Sequence, residues 1–142
     1  MLKAAGDGTV DEGAPMIYLY AQAMGIGIIL IGVVGLLLGE KPLLGVVNID
    51  VVEDAVHLLT GGLMAFIGFT QSEHTIRNVV GGISAIYLLV GVLGFITPSL
   101  FGLLPHGYTA VDNIIHLALG VIGLGLAWPG RSRERVPHPG LS

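Results

Sequence analysis

Four long apolar segments constrain this chain more than any other feature of its sequence. They run over residues 17–38, 51–69, 76–96 and 111–128, and charged side chains occur only near their ends. A membrane hydrocarbon core of about 30 Å requires about 20 mostly apolar residues in a helix. Barrel strands are shorter and alternate in polarity. The segments therefore predict an all-α fold, namely a membrane four-helix bundle.

The composition of the chain agrees with a membrane location. Of its 142 residues, 53% are hydrophobic and 11% are charged, whereas soluble domains carry about 25% charged residues. The chain has no cysteine, which excludes disulfides and thiolate metal sites. Its net charge of −4, without a basic cluster, argues against nucleic acid as a partner. We expect a polar N-terminal segment over residues 1–16, a transmembrane domain over 17–128 and a polar tail over 129–142.

The distribution of lysine and arginine predicts the orientation of the spans. Lys3, Arg77 and the arginines of the tail lie on one side of the predicted membrane, and only Lys41 lies on the other. Cytoplasmic loops carry the excess of basic residues. We therefore expect an integral protein of a bacterial inner (plasma) membrane with both termini in the cytoplasm. The first residues lack the pattern of a cleaved signal peptide, so the first helix is expected to remain as an anchor.

The chain contains an internal repeat with an offset of 59 residues. The stretch 52–61 matches the stretch 111–120, with valine, an acid, histidine, leucine and glycine in register. The match extends to the glycines of 32–35 and 91–94, so the first span corresponds to the third and the second to the fourth. The repeat predicts two tandem helical hairpins of equal topology. It also predicts that His57 and His116 lie at the same depth.

The two histidines are the candidate cofactor-binding residues. Each follows polar residues at distances of three and four along a helix, where side chains can contact one another. These candidate supporting residues are Glu53, Asp54, Asp112 and Asn113.

Three interpretations of this pattern remain open at the level of the sequence. The polar first turns can simply cap the second and fourth helices, with each histidine bonded to a neighbouring acid or backbone group. His57 and His116 can instead ligate a haem, a chlorophyll-type pigment or a divalent metal. They can also handle protons, as ionisable groups inside membranes often do. No catalytic residue and no separate metal site is assigned.

The leading functional hypothesis is a non-enzymatic accessory or scaffolding subunit. No nucleophile, base and oxyanion arrangement can be assembled from the sequence, and phosphate-binding and zinc-protease motifs are absent. Such a subunit would pack in the lipid bilayer against the proteins of a larger membrane complex, or form a homo-oligomer. The alternatives are a membrane cofactor-binding protein and, third, a proton- or ion-handling protein.

The second repeat resembles a known family through two motifs. Gly102-Leu103-Leu104-Pro105 precedes Asp112-Asn113-Ile114-Ile115-His116-Leu117, and the latter is followed by Gly120. This arrangement is similar to an uncharacterised family of bacterial four-helix integral membrane proteins, a domain of unknown function with an Asp-Asn-x-x-His-Leu motif. In the first repeat Glu53-Asp54 stands in place of Asp-Asn. The resemblance implies the fold and the membrane location but no activity.

Overall fold

The chain folds into four helices with short connections. The structure is a computed structural model that describes residues 13–39, 47 and 50–128. The helices are α1 (Gly13–Leu38), α2 (Val51–Thr70), α3 (Glu73–Ile96) and α4 (Ala110–Ala127). Helix α1 begins four residues before the predicted start of the first span, so residues 13–16 belong to the helix rather than to a separate polar segment. The remainder of that segment, and the tail over 129–142, lie outside the described residues.

The helices form two hairpins, in which α1 packs against α2 and α3 packs against α4. This arrangement confirms the prediction of an all-α bundle of two tandem hairpins. Each helix is long and apolar enough to cross a membrane. The outer surface is apolar, with Leu37 80% and Leu59 74% exposed, whereas Ser84 and Asp112 are buried. An apolar surface around a polar interior is the arrangement expected for a protein surrounded by lipid.

Both helices that carry the histidines begin at a side-chain cap. The Asp50 carboxylate accepts a hydrogen bond from the backbone N–H of Val52 at the start of α2. Helix α4 begins with a capping box, in which Thr109 and Asp112 each bond the backbone N–H of the other. A cap satisfies donors that would otherwise lack partners in the first turn. Both helices therefore start at a polar cap, Asp50 in α2 and Thr109 with Asp112 in α4.

Glycines allow close packing within each hairpin at equivalent positions of the repeat. A Cβ atom at Gly35 would overlap the Asp54 carboxylate, and one at Gly94 would overlap the Asn113 side-chain amide. These two pairs are related by the 59-residue offset. Small residues at a helix interface let backbones approach closely in lipid. The two hairpins therefore share a sequence pattern, and their helices also pack in the same way.

The apolar core occupies one end of the bundle only. It is built from the first half of α1, the second half of α2 and the first half of α3, with Ile17, Met64 and Val80 among its fully buried members. Interhelical hydrogen bonds reinforce this end, including one of 2.7 Å from the Gln22 amide to the carbonyl of Gly68. Most of the buried polar residues lie at the opposite end, where α2 and α4 begin. The fold thus separates a packed half from a polar half.

Candidate functional site

His57 and His116 meet between the two hairpins. Each is the seventh residue of its helix, counted from Val51 in α2 and from Ala110 in α4. At 1.5 Å per residue, both lie about 10 Å from the start of the helix. Their rings are 6.3 Å apart between centroids and inclined by only 15°. The structure therefore brings together the two histidines that the repeat predicted to lie at the same depth.

A backbone hydrogen bond fixes the proton on the ring of His116. Its Nδ1 lies 2.7 Å from the carbonyl oxygen of Asp112, one turn earlier in α4. Because a carbonyl oxygen only accepts, the neutral ring must carry its proton on Nδ1 and keep the lone pair on Nε2. The ring is 5% exposed. This is the tautomer and the support that a metal-binding imidazole commonly has.

The His57 ring is held more loosely than that of His116. Its Nε2 lies 3.9 Å from Oε1 of Glu53, a separation too long for a hydrogen bond. Its Nδ1 is buried and has no hydrogen-bond partner among the described residues. The Glu53 carboxylate is itself buried, at 5% exposure. The ring thus stacks on that of His116 beside a buried carboxylate, and no described residue holds its Nδ1 by a hydrogen bond.

The other predicted supporting residues do not contact the histidine rings in the way their spacing suggested. The Asp112 carboxylate bonds Thr109 in the capping box, at 2.8 Å to its N–H and 2.9 Å to its hydroxyl. It is therefore the backbone carbonyl of Asp112, and not the side chain, that orients His116. Asp54 and Asn113 face the glycines of the preceding helix instead. The Asp112 side chain is used in the helix cap, and the Asp54 and Asn113 side chains pack against glycines. These three side chains are therefore not directed at the imidazoles.

Three side chains could hold one metal ion. Ligand atoms from Glu53, His57 and His116 all lie within 4.8 Å of one another. Nitrogen and carboxylate ligands bind zinc at about 2.0–2.2 Å, so two ligands of one ion lie at most about 4.4 Å apart. In the tetrahedral geometry that zinc prefers, neighbouring ligand atoms lie about 3.4 Å apart, so a separation at the 4.8 Å limit would have to shorten by about 1.4 Å through side-chain rotation. Two histidines and one carboxylate are a ligand set used for zinc and for non-haem iron.

Two tyrosines that the sequence analysis did not assign to the site surround His116. The ring of Tyr87 meets it edge-on with centroids 5.4 Å apart, and the Tyr108 ring lies at 4.9 Å. Burial raises the pKa of the Tyr108 hydroxyl above its ordinary value of 10.0, and nearby carboxylates, Glu53 first among them, add to the effect. A tyrosine in the middle of an uncharged span is unusual, because membrane tyrosines concentrate at the interfaces. That position was the available signal for Tyr87.

A cavity of about 300 Å³ adjoins the histidines. It lies between α1 and α4, and α2 forms its floor. Most of its wall is apolar, and its polar end is formed by the site residues described above. Its lining includes Ile28, Ile31, Val34, Asp54, Ile115 and Leu119. An apolar cavity with a few convergent polar groups is the usual form of a small-molecule site.

The remaining two described histidines lie elsewhere. His106, in the connection between α3 and α4, is partly exposed and lies 3.8 Å from Oδ2 of Asp50. His74 lies in the first turn of α3, at the opposite end of the bundle, and is exposed. Neither belongs to the paired-histidine site.

Comparison of the chain with models of protein families, with curated proteins and with solved structures found no match. The resemblance to a family of bacterial four-helix membrane proteins therefore stays a prediction from the motifs.

Proposed function

We propose that this protein is an integral membrane protein that binds one divalent transition-metal ion through Glu53, His57 and His116. The observation that carries the proposal is the hydrogen bond from His116 Nδ1 to the Asp112 carbonyl, which directs the lone pair of Nε2 away from the helix. The paired ring of His57 and the buried carboxylate of Glu53 complete the set. Three protein ligands leave a coordination position open for water or a further ligand.

A bare ion suits this site better than a haem or a chlorophyll-type pigment. A tetrapyrrole needs flat space on all sides of its metal, and the rings of Tyr87 and Tyr108 pack against His116 on two sides. The acid also favours an ion, because a macrocycle coordinated by two imidazoles has no position for Glu53. Of the cofactors considered from sequence, the divalent metal is therefore the one we carry forward.

No contact among the described residues bears on the remaining predictions, which concern orientation, location and role. The orientation with both termini in the cytoplasm rests on basic residues that mostly lie outside the described residues. With that orientation, the site would lie in the outer half of a bacterial inner membrane. A role as an accessory subunit of a larger complex, without enzymatic activity, stays a hypothesis, tested by co-purification in mild detergent.

Metal binding can be measured directly on the purified protein in lipid nanodiscs. After treatment with a chelator, the protein is titrated with Co²⁺, whose visible spectrum reports the number and kind of ligands, and with Zn²⁺ in competition. We expect one ion per chain and a spectrum of low coordination number. His57→Ala and His116→Ala should each weaken binding by more than about 100-fold, since even removal of a supporting group costs 10–100-fold.

His74→Ala is the matched control, because it removes an exposed histidine from the opposite end of the bundle. It should bind Co²⁺ as the wild type does. If the wild type takes up no ion, or if the two site variants bind as tightly as the control, the proposal is wrong.

A further inference from the structure

The duplication provides an internal comparison that singles out the cavity beside the histidines. The cavity of about 300 Å³ between α1 and α4 has an equivalent in the other half of the bundle, between α3 and α2, with a volume of only about 50 Å³. Their linings correspond through the 59-residue offset, for example Ile31 with Val90 and Ile115 with Val56. Equivalent positions of the two repeats therefore line crevices of very different volume.

Two substitutions account for the closed crevice. Tyr87 stands where the open cavity has Ile28, and Thr60 stands where it has Leu119. The Thr60 and Tyr87 hydroxyls lie 2.8 Å apart and bond across the crevice. The open side has an aliphatic pair in their place, which cannot form that bond.

The open cavity contains a buried carboxylate atom without a partner. Asp54 is 3% exposed, and its Oδ2 has no hydrogen-bond partner among the described residues. Its counterpart at the same place in the second repeat is the uncharged Asn113. A buried carboxylate is strongly destabilising unless a cation or a hydrogen-bond donor meets it. The repeat that contributes α1 and α2 to the open cavity therefore carries an ionisable acid where the other repeat carries a neutral amide.

The electrostatics of the cavity select the charge of its occupant. Three acidic residues line it, Glu53, Asp54 and Asp112, the last with its carboxylate bonded to Thr109, and no lysine or arginine is among its described lining residues. In a low-dielectric site this arrangement attracts a cation and repels an anion. The rim residues Ile31, Val34 and Ile115 are exposed on the surface that faces lipid. A molecule dissolved in the bilayer can therefore reach the cavity without crossing water.

We propose that the cavity between α1 and α4 binds a membrane-dissolved amphiphile with a protonated amine as its head group. The ammonium group donates to Asp54 Oδ2, and the apolar chain lies against Ile31, Val34 and Ile115. Asp54 is not one of the three proposed metal ligands, so the amine and the ion do not need the same atoms. The inference therefore does not depend on metal binding.

The test uses metal-free protein in nanodiscs and a decylamine that carries a photoreactive diazirine in its tail. Labelled residues are mapped by mass spectrometry, and unlabelled decylamine, decanol and decanoate compete at equal concentration in the bilayer. We expect labels on the cavity rim, displaced by decylamine at least about tenfold more effectively than by the other two, as expected for one close charge pair.

Two variants separate the roles of shape and charge. Ile28→Tyr/Leu119→Thr copies the closed crevice into the open one and should abolish rim labelling. Asp54→Asn copies Asn113 of the second repeat, so it should fold, retain the cavity and lose the preference for the amine. Leu89→Tyr, which adds a ring at an exposed position of α3, is the control and should label as the wild type does.

Equal competition by all three head groups in the wild type would overturn the proposal. So would an unchanged amine preference in Asp54→Asn, even if the double variant fails to fold. Because this test uses metal-free protein, failure here is distinguishable from failure to bind Co²⁺ in the metal experiment.

Discussion

Two adjacent glycines in α2 offer a stringent test of the packing within the first hairpin. A Cβ atom added at Gly61 would lie 2.8 Å from the backbone nitrogen of Ile29 and 2.9 Å from the carbonyl oxygen of Gly25. A Cβ atom added at Gly62 would meet nothing within 4 Å. The equivalent of Gly62 in the second repeat is Val121, which shows that a side chain is accommodated there. We therefore compare Gly61→Ala with Gly62→Ala.

The magnitude follows from the distances. Ordinary contact begins near 3.4 Å, so α1 would have to withdraw by about 0.6 Å from the new methyl group at position 61. A gap of 0.5–1 Å loses about a quarter to a half of the dispersion energy of the atoms involved, and overpacking costs about 1–3 kcal/mol. Backbone atoms cannot rotate away, so we take the upper end, about 3 kcal/mol.

The pair of variants isolates this overlap. Both substitutions gain about 1 kcal/mol in helix propensity, which cancels in the comparison. Gly61→Ala should therefore lower the free energy of unfolding by about 2 kcal/mol, and Gly62→Ala should raise it by up to about 1 kcal/mol. The assay is reversible unfolding in mixed micelles, followed by far-ultraviolet circular dichroism. Surface substitutions normally change the free energy of unfolding by no more than about 0.5 kcal/mol. If the two variants agree within that range, α1 and α2 do not approach as closely as described.

Three further predictions concern the polar half of the bundle. Asp50→Ala removes the cap of α2 and should lower the free energy of unfolding by about 1 kcal/mol, measured by the same assay; no change would contradict the cap. Tyr87→Phe removes the hydrogen bond to Thr60 and should cost about 1 kcal/mol, whereas Thr75→Val, which removes a bond between exposed hydroxyls, should cost less than half as much. The Tyr108 hydroxyl has a raised pKa, so its neutral form is favoured by folding, and this part of the stability declines as the pH rises above 10.0, the ordinary value. The ultraviolet tyrosinate signal of the folded wild type near that pH should match that of Tyr108→Phe, and a larger wild-type signal would show that Tyr108 is not buried.

Much of the fold could be predicted because its determinants are local or periodic. The length of each apolar run predicts a helix that is long enough to cross a membrane. The caps at Asp50 and Thr109 follow from residue type and position. The repeat then predicted two equivalent hairpins, because copies that each contain an even number of spans have the same topology. Helix α1 extends from Gly13, before the predicted span, since Pro15 is compatible with the first turn of a helix.

The candidate site was predictable only in part. The equal depth of His57 and His116 followed from the repeat, but the contact between their rings and the roles of the surrounding acids did not. Spacing along a helix shows which side chains can contact one another. It does not show which of several possible partners each side chain binds. Asp112 satisfies the helix start, and Asp54 packs over Gly35, so only Glu53 remains near an imidazole. Tyr87 and Tyr108 arrive from a different helix and a connecting loop, and no local pattern reports such contacts.

By itself, the sequence determined four apolar helices, their division into two like hairpins and the equal depth of two histidines, because each depends on chain-local hydrophobicity or on the offset of the repeat. The tertiary structure alone decided which hydrogen bond fixes the His116 ring, which acid joins the two imidazoles and which of two equivalent crevices stays open. Those outcomes depend on distances between helices far apart in the chain. A single difference between the repeats at an interface, such as isoleucine in place of tyrosine, determines them.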